Sequence, residues 1–297
     1  MSDHTGIEWT DATWNPVTGC SHVSPGCEHC YAEMLSLRHG WSKKPWTAQN
    51  AAENVVLHPD RLTQPFAWRK PRRVFVNSMS DLFHERIPDD FLDRVFGVMA
   101  GSSRHVFQVL TKRPERMREY VRGLADIHGS GRGFARLDAA ARSVGVALSF
   151  EGIPLVPWPI PNVWLGVSVE DQRRADERIP LLAGTPARVR FLSCEPLLGP
   201  IDLTHKLRVA PSPYRIHWVI VGGESGSGAR PMQAEWALTI RDQCSATGAA
   251  FFFKQWGGTG NKRGHDQAML DGVRHTAMPI LPNAVAVSSS RPPETPV

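Results

Sequence analysis

Val163-Trp164-Leu165-Gly166-Val167-Ser168-Val169-Glu170-Asp171 is an unbroken apolar run that stops abruptly on hydroxyl and carboxylate side chains. Four to six apolar residues in a row, without polar alternation, suit a strand buried on both faces. That is the ordinary condition of a parallel sheet. The same pattern recurs along the chain. Val74-Phe75-Val76 runs into Asn77-Ser78-Met79-Ser80-Asp81, and Val106 to Leu110 runs into Thr111-Lys112-Arg113. Val189 to Leu192 leads to Ser193-Cys194-Glu195-Pro196, Trp218 to Val221 to Gly222-Gly223-Glu224-Ser225, and Ala249 to Phe253 to Lys254-Gln255-Trp256. A short strand before Cys20 brings the candidates to seven.

Helical patterns separate most of these runs. Asp89 and Asp90 open a segment with Phe91, Leu92, Val95, Phe96 and Met99 on one face and Gly101 as its expected C-cap. Pro114 to Gly123 reads as a shorter helix. Asp171 to Leu182 reads as one interrupted by Pro180, and Gln233 to Thr247 as one ending at Gly248. Strands alternating with helices indicate βαβ units. The expected fold class is α/β: a full or partial TIM-type (β/α) barrel of parallel strands, with a flat doubly wound sheet as the alternative. In such a barrel the loops after the strand C-termini form the active face.

Composition sets outer bounds. The chain has 297 residues, of which 41% are hydrophobic, and this excludes wholesale disorder. No window offers the roughly 20 consecutive apolar residues of a membrane span. The N-terminus lacks a secretory apolar core, so a cytoplasmic location is expected. The net charge is +5, with 27 arginines to 7 lysines. That balance permits a nucleic-acid partner but equally reflects GC-rich codons. Residues 123–161, with Gly129-Ser130-Gly131-Arg132-Gly133 and then Pro154, Pro157, Pro159 and Pro161, read as an insertion or lid. Residues 283–297 read as a flexible tail, leaving 1–282 as one domain.

Five cysteines are an odd number, which argues against a closed disulfide framework. Three of them, Cys20, Cys27 and Cys30, form a C-x6-C-x2-C motif around a Pro25-Gly26 turn. Clustered thiols in a reducing compartment read first as metal ligands. Two readings stay open on the residues alone. A tetrahedral zinc would recruit His4, His22 or His29 as a fourth ligand. A four-iron cluster would keep one iron without a protein ligand, free to bind and activate a small molecule.

Around this motif the chain resembles a known family. Ile7-Glu8-Trp9-Thr10-Asp11-Ala12-Thr13-Trp14-Asn15-Pro16-Val17-Thr18-Gly19-Cys20 is similar to the opening of the phage-type three-Cys-motif proteins, which are described as radical-SAM-like. The resemblance continues through Ser78 to His84, Leu110 to Pro114, Asn162 to Glu170 and Phe191 to Pro200. It ends in Gly222 to Gly226, Arg230-Pro231-Met232 and Phe253 to Gly257, covering most of residues 6–258. It implies a phage or prophage protein in the host cytoplasm, built as a radical S-adenosylmethionine (SAM) enzyme. A [4Fe–4S] cluster would be held by Cys20, Cys27 and Cys30, with SAM on the fourth iron and a reductant such as flavodoxin or ferredoxin. Cleavage of the sulfonium would then start radical chemistry on a nucleic acid or nucleotide. The competing function is a zinc-stabilised nucleic-acid-binding phage protein without redox activity. The spacing departs from the wider radical SAM pattern, C-x3-C-x2-C, and His29 stands where an aromatic residue often precedes the third cysteine.

The other strand-end clusters supply the expected cofactor contacts. Asn77 and Ser78, with Ser80 and Asp81, are placed to take the methionine amine. Ser168 and Glu170 could hold a ribose or the cofactor's carboxylate region, and Gly222, Gly223 and Glu224 a closely approaching ligand. Lys112, Arg113 and Lys254 add positive charge to the mouth. Cys194, at a strand end, is the candidate hydrogen-atom donor, whereas Cys244 reads as core. Trp164, Trp218 and Trp236 read as packing, while Trp9, Trp14 and Trp256 are candidates to stack a base or an adenine.

Overall fold

The computed structural model describes residues 5–125, 132–150, 153–154, 156–208, 214–259 and 268–280. The expected tail at 283–297 and the glycine-rich stretch at 129–131 lie outside the described residues. Seven parallel strands form one sheet: β1 (Ala12–Trp14), β2 (Arg73–Val76), β3 (Val106–Thr111), β4 (Val163–Ser168), β5 (Val189–Cys194), β6 (Trp218–Gly222) and β7 (Ala250–Gln255). Their spatial order is their order in the chain, β1 to β7, without a reversal. A doubly wound sheet needs a point where the order reverses. Its absence here, with β1 and β7 left as edges, defines an open (β/α) half-barrel.

Helices follow the strands in turn: α1 (Tyr31–Arg38), α2 (Asp89–Gly101), α3 (Pro114–Ala125), α4 (Arg132–Arg142), α5 (Gln172–Ala183), the short α6 (Thr204–Arg208) and α7 (Ala234–Thr247). Three details differ from the sequence reading. Gly101 lies inside α2 because a Cβ there would sit 2.2 Å from Val146, so close approach rather than capping requires the glycine. Helix α5 runs through Pro180, which lacks the N–H that would bond the Asp176 carbonyl one turn earlier, and the helix ends three residues later at Ala183. Gly248 does close α7 in the left-handed region, at φ 72°. Within 123–161, α4 packs on α2 and α3. Gly97 meets Ala141, and Gly133 lies against the carbonyls of Gly123 and Leu124.

Strand side chains alternate between two faces. Outward-facing Val76, Val109, Val167, Cys194, Val221 and Phe253 join the main core under the helices. Inward-facing Phe75, Trp164, Phe191, Trp218 and Phe252 close with Trp9 into a second, aromatic cluster. Trp9 touches both Phe75 of β2, at 4.8 Å between ring centroids, and Trp218 of β6, at 6.0 Å. In a flat sheet those strands stand four spacings apart, roughly 19 Å. One indole bridging them shows how strongly the sheet curls.

The aromatic cluster fills the lower half of the concave face and leaves the strand C-termini open above it. Trp218 also meets the rings of Trp164, Phe191 and Phe252, and is fully buried. Truncation to alanine is therefore expected to cost about 3–5 kcal/mol, read as a lowered urea midpoint. His217, just before β6, accepts the backbone N–H of Arg190 at 3.1 Å on Nδ1. Burial, with Arg215 and Arg190 nearby, pushes its imidazole down to about 4. The unfolded chain then binds more protons below the ordinary value near 6.5, so stability is lost as pH falls from about 6.5 to about 4. His217→Asn is expected to flatten that part of a stability–pH profile.

Candidate functional site

The cysteine motif is built onto the end of β1. Val17–Thr18 pairs antiparallel with Val56–Leu57, and Gly19 follows at φ 80°, where a Cβ would lie 1.8 Å from the Asn54 carbonyl. Gly19 donates its N–H to Met79 O at 2.9 Å, and its carbonyl accepts Ser80 Oγ at 2.7 Å. Cys20 is thereby tied to the segment after β2. Pro25–Cys27 forms a single 3-10 turn, and Cys30 caps α1.

Four strand ends hold this loop. From β2 come Asn77 and Ser80. Asn77, at φ 61°, accepts the Val17 N–H at 3.3 Å. From β3, Arg113 reaches Cys20 Sγ at 3.5 Å, Ser21 O at 3.1 Å, Asp81 at 3.2 Å and Glu85 at 3.2 Å. From β4, the fully buried Glu170 accepts Gly26 N–H at 3.3 Å and pairs with Arg178 at 2.9 Å. From β6, Glu224 accepts the Arg230 backbone N–H at 2.9 Å and is gripped by its guanidinium, while His29 Nδ1 lies 2.8 Å away. Arg230 also donates to Pro25 O at 2.9 Å and Glu28 at 2.8 Å.

Above the aromatic floor lies a cavity of about 380 Å³. Cys20, Cys27 and Cys30 all line it. Of the other expected contacts, Asn77, Ser78, Ser168, Gly223 and Glu224 line it too. Gly222 and Glu170 do not: Gly222 lies behind Glu195 and Lys254, and Glu170 is sealed beneath Gly26. Cys194 faces the other way. An outward position on β5 puts it, fully buried, in the main core with Cys244, and the inward neighbour Ser193 lines the cavity instead. Trp9 lines the cavity, whereas Trp14 is buried on the outer side and Trp256 is held by Met269 O. From the sequence, Ser193 and Glu195 are expected only as part of a strand-end polar cluster, without individual roles, and Tyr31 has none. Ser193 stands opposite Ser168 in the β4–β5 register, and that pairing carried the signal.

The charges here are arranged in pairs. Burial alone would raise Glu224, but hydrogen bonds from the Arg230 side chain and backbone and from His29 hold it at about 2. Burial also opposes the Asp81 charge, yet Arg113, Thr111 and the Lys112 N–H keep its pKa below the ordinary range. Glu195 pairs with Lys254. Lys112 differs: its ammonium makes no hydrogen bond or ion pair among the described residues, and Cys27, Glu170 and Cys30 raise its pKa against desolvation. Two more donors are buried without partners, Trp9 Nε1 and Asn77 Nδ2. Among its described residues the cavity thus offers spare donors and one unpaired cation, Lys112, while its carboxylates are engaged.

Desolvation pushes the Cys20 thiol up to about 12 despite Arg113, and raises Cys30 as well. The charge of Cys27 is felt by both. Among the described residues no three His, Cys, Asp or Glu side chains are already gathered at metal-binding distance. The donor set nevertheless fits a three-thiolate centre: three free, partly exposed thiols line one cavity, near enough to couple, with Arg113 and Lys112 to offset thiolate charge.

Fold and site together define an open (β/α) half-barrel with a three-cysteine loop at the mouth formed by its strand C-termini. The chain belongs to the family described as a protein of unknown function, DUF5131, whose pattern it matches over residues 4–279. No curated protein matches it. Among solved structures, spore photoproduct lyase complexed with a dinucleoside spore photoproduct aligns at 11% identity and a TM-score of 0.39. The alignment covers 78% of this chain and 60% of that one, so the likeness spans less than two thirds of the lyase chain. No helix among the described residues is long and apolar enough to cross a membrane.

Glu170→Ala would leave Arg178 charged, buried and without its carboxylate. The expected cost is about 3–5 kcal/mol. The loop around Gly26 should also loosen, which hydrogen exchange at residues 24–30 would register as lost protection.

Proposed function

We propose that this chain is a radical SAM enzyme that binds a [4Fe–4S] cluster through Cys20, Cys27 and Cys30 and acts on a nucleic acid or nucleotide. One observation carries the reading: the three cysteines of one motif open onto one cavity at the strand C-termini, on a loop clamped by β2, β3, β4 and β6. When bound, a reduced cluster with SAM on its fourth iron supplies homolytic cleavage of the sulfonium and hydrogen abstraction from a substrate. The remaining work belongs to the chain. Arg113 and Lys112 offset thiolate charge, and Arg230 with Glu224 and His29 holds the outer half of the loop. The aromatic floor of Trp9 and Phe75 keeps water from the cavity base and gives a planar ring a surface to lie on. Spare donors on Asn77, Trp9 and Lys112 suit a ligand rich in acceptors, as nucleotides are. The phage context implied by the sequence resemblance accords with a nucleic-acid substrate.

Protein purified without oxygen is expected to be brown, with about four iron and four sulfide per chain. With a reductant it should convert SAM to 5′-deoxyadenosine. Cys27→Ala should lose iron and turnover while keeping its circular dichroism and cooperative melting. A colourless wild-type protein carrying stoichiometric zinc, with a Cys27→Ala variant that unfolds, would overturn the proposal in favour of a structural zinc site.

A further inference from the structure

Monomeric surfaces seldom gather large apolar side chains in one place without a partner to meet them. Ten large hydrophobic residues are exposed among the described residues, and five fall within residues 23–41: Val23, Tyr31, Met34, Leu37 and Trp41. Tyr31, Met34 and Leu37 recur at intervals of three along α1, which places them on one side of the helix. Trp41 follows, 66% exposed, its indole stacked on His39 at 4.9 Å and 23°. Tyr31, at the inner end, lines the cavity and donates its hydroxyl to Ser78 O at 2.7 Å. The stripe therefore runs from the cavity to open solvent over a helix about 12 Å long.

The charge along it has one sign. Arg38 and Lys43 are exposed and make no ion pair among the described residues. Lys44 pairs with Glu53 at 2.6 Å. Glu33, the acid within α1, is buried and occupied by His22 at 2.5 Å and the Trp46 N–H at 2.7 Å. Exposed rings interleaved with unpaired cations match a strand of unstacked bases on a phosphate backbone. They match a duplex poorly, because its bases present no free faces. The dense basic run Arg69-Lys70-Pro71-Arg72-Arg73 leads into the start of β2, at the opposite end of the sheet from the cavity.

We infer that the α1 stripe, from Tyr31 to Trp41 with Arg38 and Lys43, docks single-stranded nucleic acid and leads it to the cavity. This rests on the reading that the cavity's substrate is a nucleic-acid component. It names the form that substrate takes: a strand rather than a free nucleotide or a duplex.

The test uses the full-length chain without metal, with fluorescein-labelled single-stranded DNA and RNA oligonucleotides, the same sequences as duplexes, and mononucleotide competitors. Fluorescence anisotropy should report binding of a single strand and weak binding of duplex. Trp41→Ala is expected to weaken strand binding about 5- to 150-fold, the range of a lost base–ring stack. Arg38→Glu and Lys43→Glu should each weaken it and lower the slope of log K against log salt by about 0.7. Phe66→Ala, an exposed ring outside the stripe, should leave binding unchanged. All four side chains are exposed, so equal melting temperatures should show that the fold is kept. Absence of strand binding, or strand binding indifferent to Trp41, Arg38 and Lys43, would overturn the inference. So would loss of binding to an acidic electron-transfer protein with strand binding intact. Because no metal is present, strand binding by a chain that fails to take up iron would sink the preceding proposal and leave this one standing.

Discussion

The contacts of Trp218 with Trp9, Trp164, Phe191 and Phe252 are what the rest of the molecule depends on. A seven-stranded parallel sheet that stops short of closure has a concave face that must be filled from within. Here large rings fill it near the strand N-termini. Edge-to-face packing of those rings draws β2 and β6 toward one indole and so sets the curl. The inward positions above them, Ser168, Ser193 and Lys254 among them, are smaller or polar, and the space over the rings stays open. The site exists because the floor is tall enough to support a mouth but not to fill it.

The alternation of strand side chains explains what the sequence made legible and what it did not. The strands were readable because burial on both faces leaves continuous apolar runs, and every run ended close to where its strand ends. Which face each residue takes could not be read from those runs, since both faces are apolar. Cys194 and Ser193 are adjacent, and only the sheet decides that the serine looks inward and the cysteine toward α7. Glu170 and Glu195 show the same ambiguity: both follow strands, yet one is sealed under the cysteine loop and the other lines the cavity. A tertiary partner, Gly26, made that difference, and local pattern carries no trace of it.

The cysteine motif was legible as a motif, but its support was not. Arg113, Glu170, Glu224 and Arg230 stand 83 to 210 residues beyond Cys20 and Cys30, on different strand ends, and they meet only because sequential βα units bring every strand C-terminus to one rim. Such a clamp has a physical rationale. A loop with a Pro25-Gly26 turn between its cysteines, entered through Gly19, is expensive to order by local hydrogen bonds alone. Hydrogen bonds to charged side chains on three strand ends fix its position instead, and those side chains are held in turn by the ion pairs Asp81–Arg113, Glu170–Arg178 and Glu224–Arg230, at the cost of desolvating each carboxylate.

That cost shapes the electrostatics of the mouth. Asp81, Glu224, Glu195 and Glu170 each meet an arginine or lysine, so the acidic residues are spent on structure. Lys112 makes no ion pair among the described residues and feels the charges of Cys27, Glu170 and Cys30 at longer range. With three protonated thiols its charge would be offset only by Glu170, which Arg178 already engages, and a weakly paired cation in a partly desolvated cavity is unfavourable. Three thiolates bound to metal would reverse that balance and make the ammonium stabilising. The basicity of the cavity thus follows from how its own carboxylates are paired rather than from the chain's overall charge of +5, and under the proposed function the Lys112 ammonium would face the thiolates of Cys27 and Cys30.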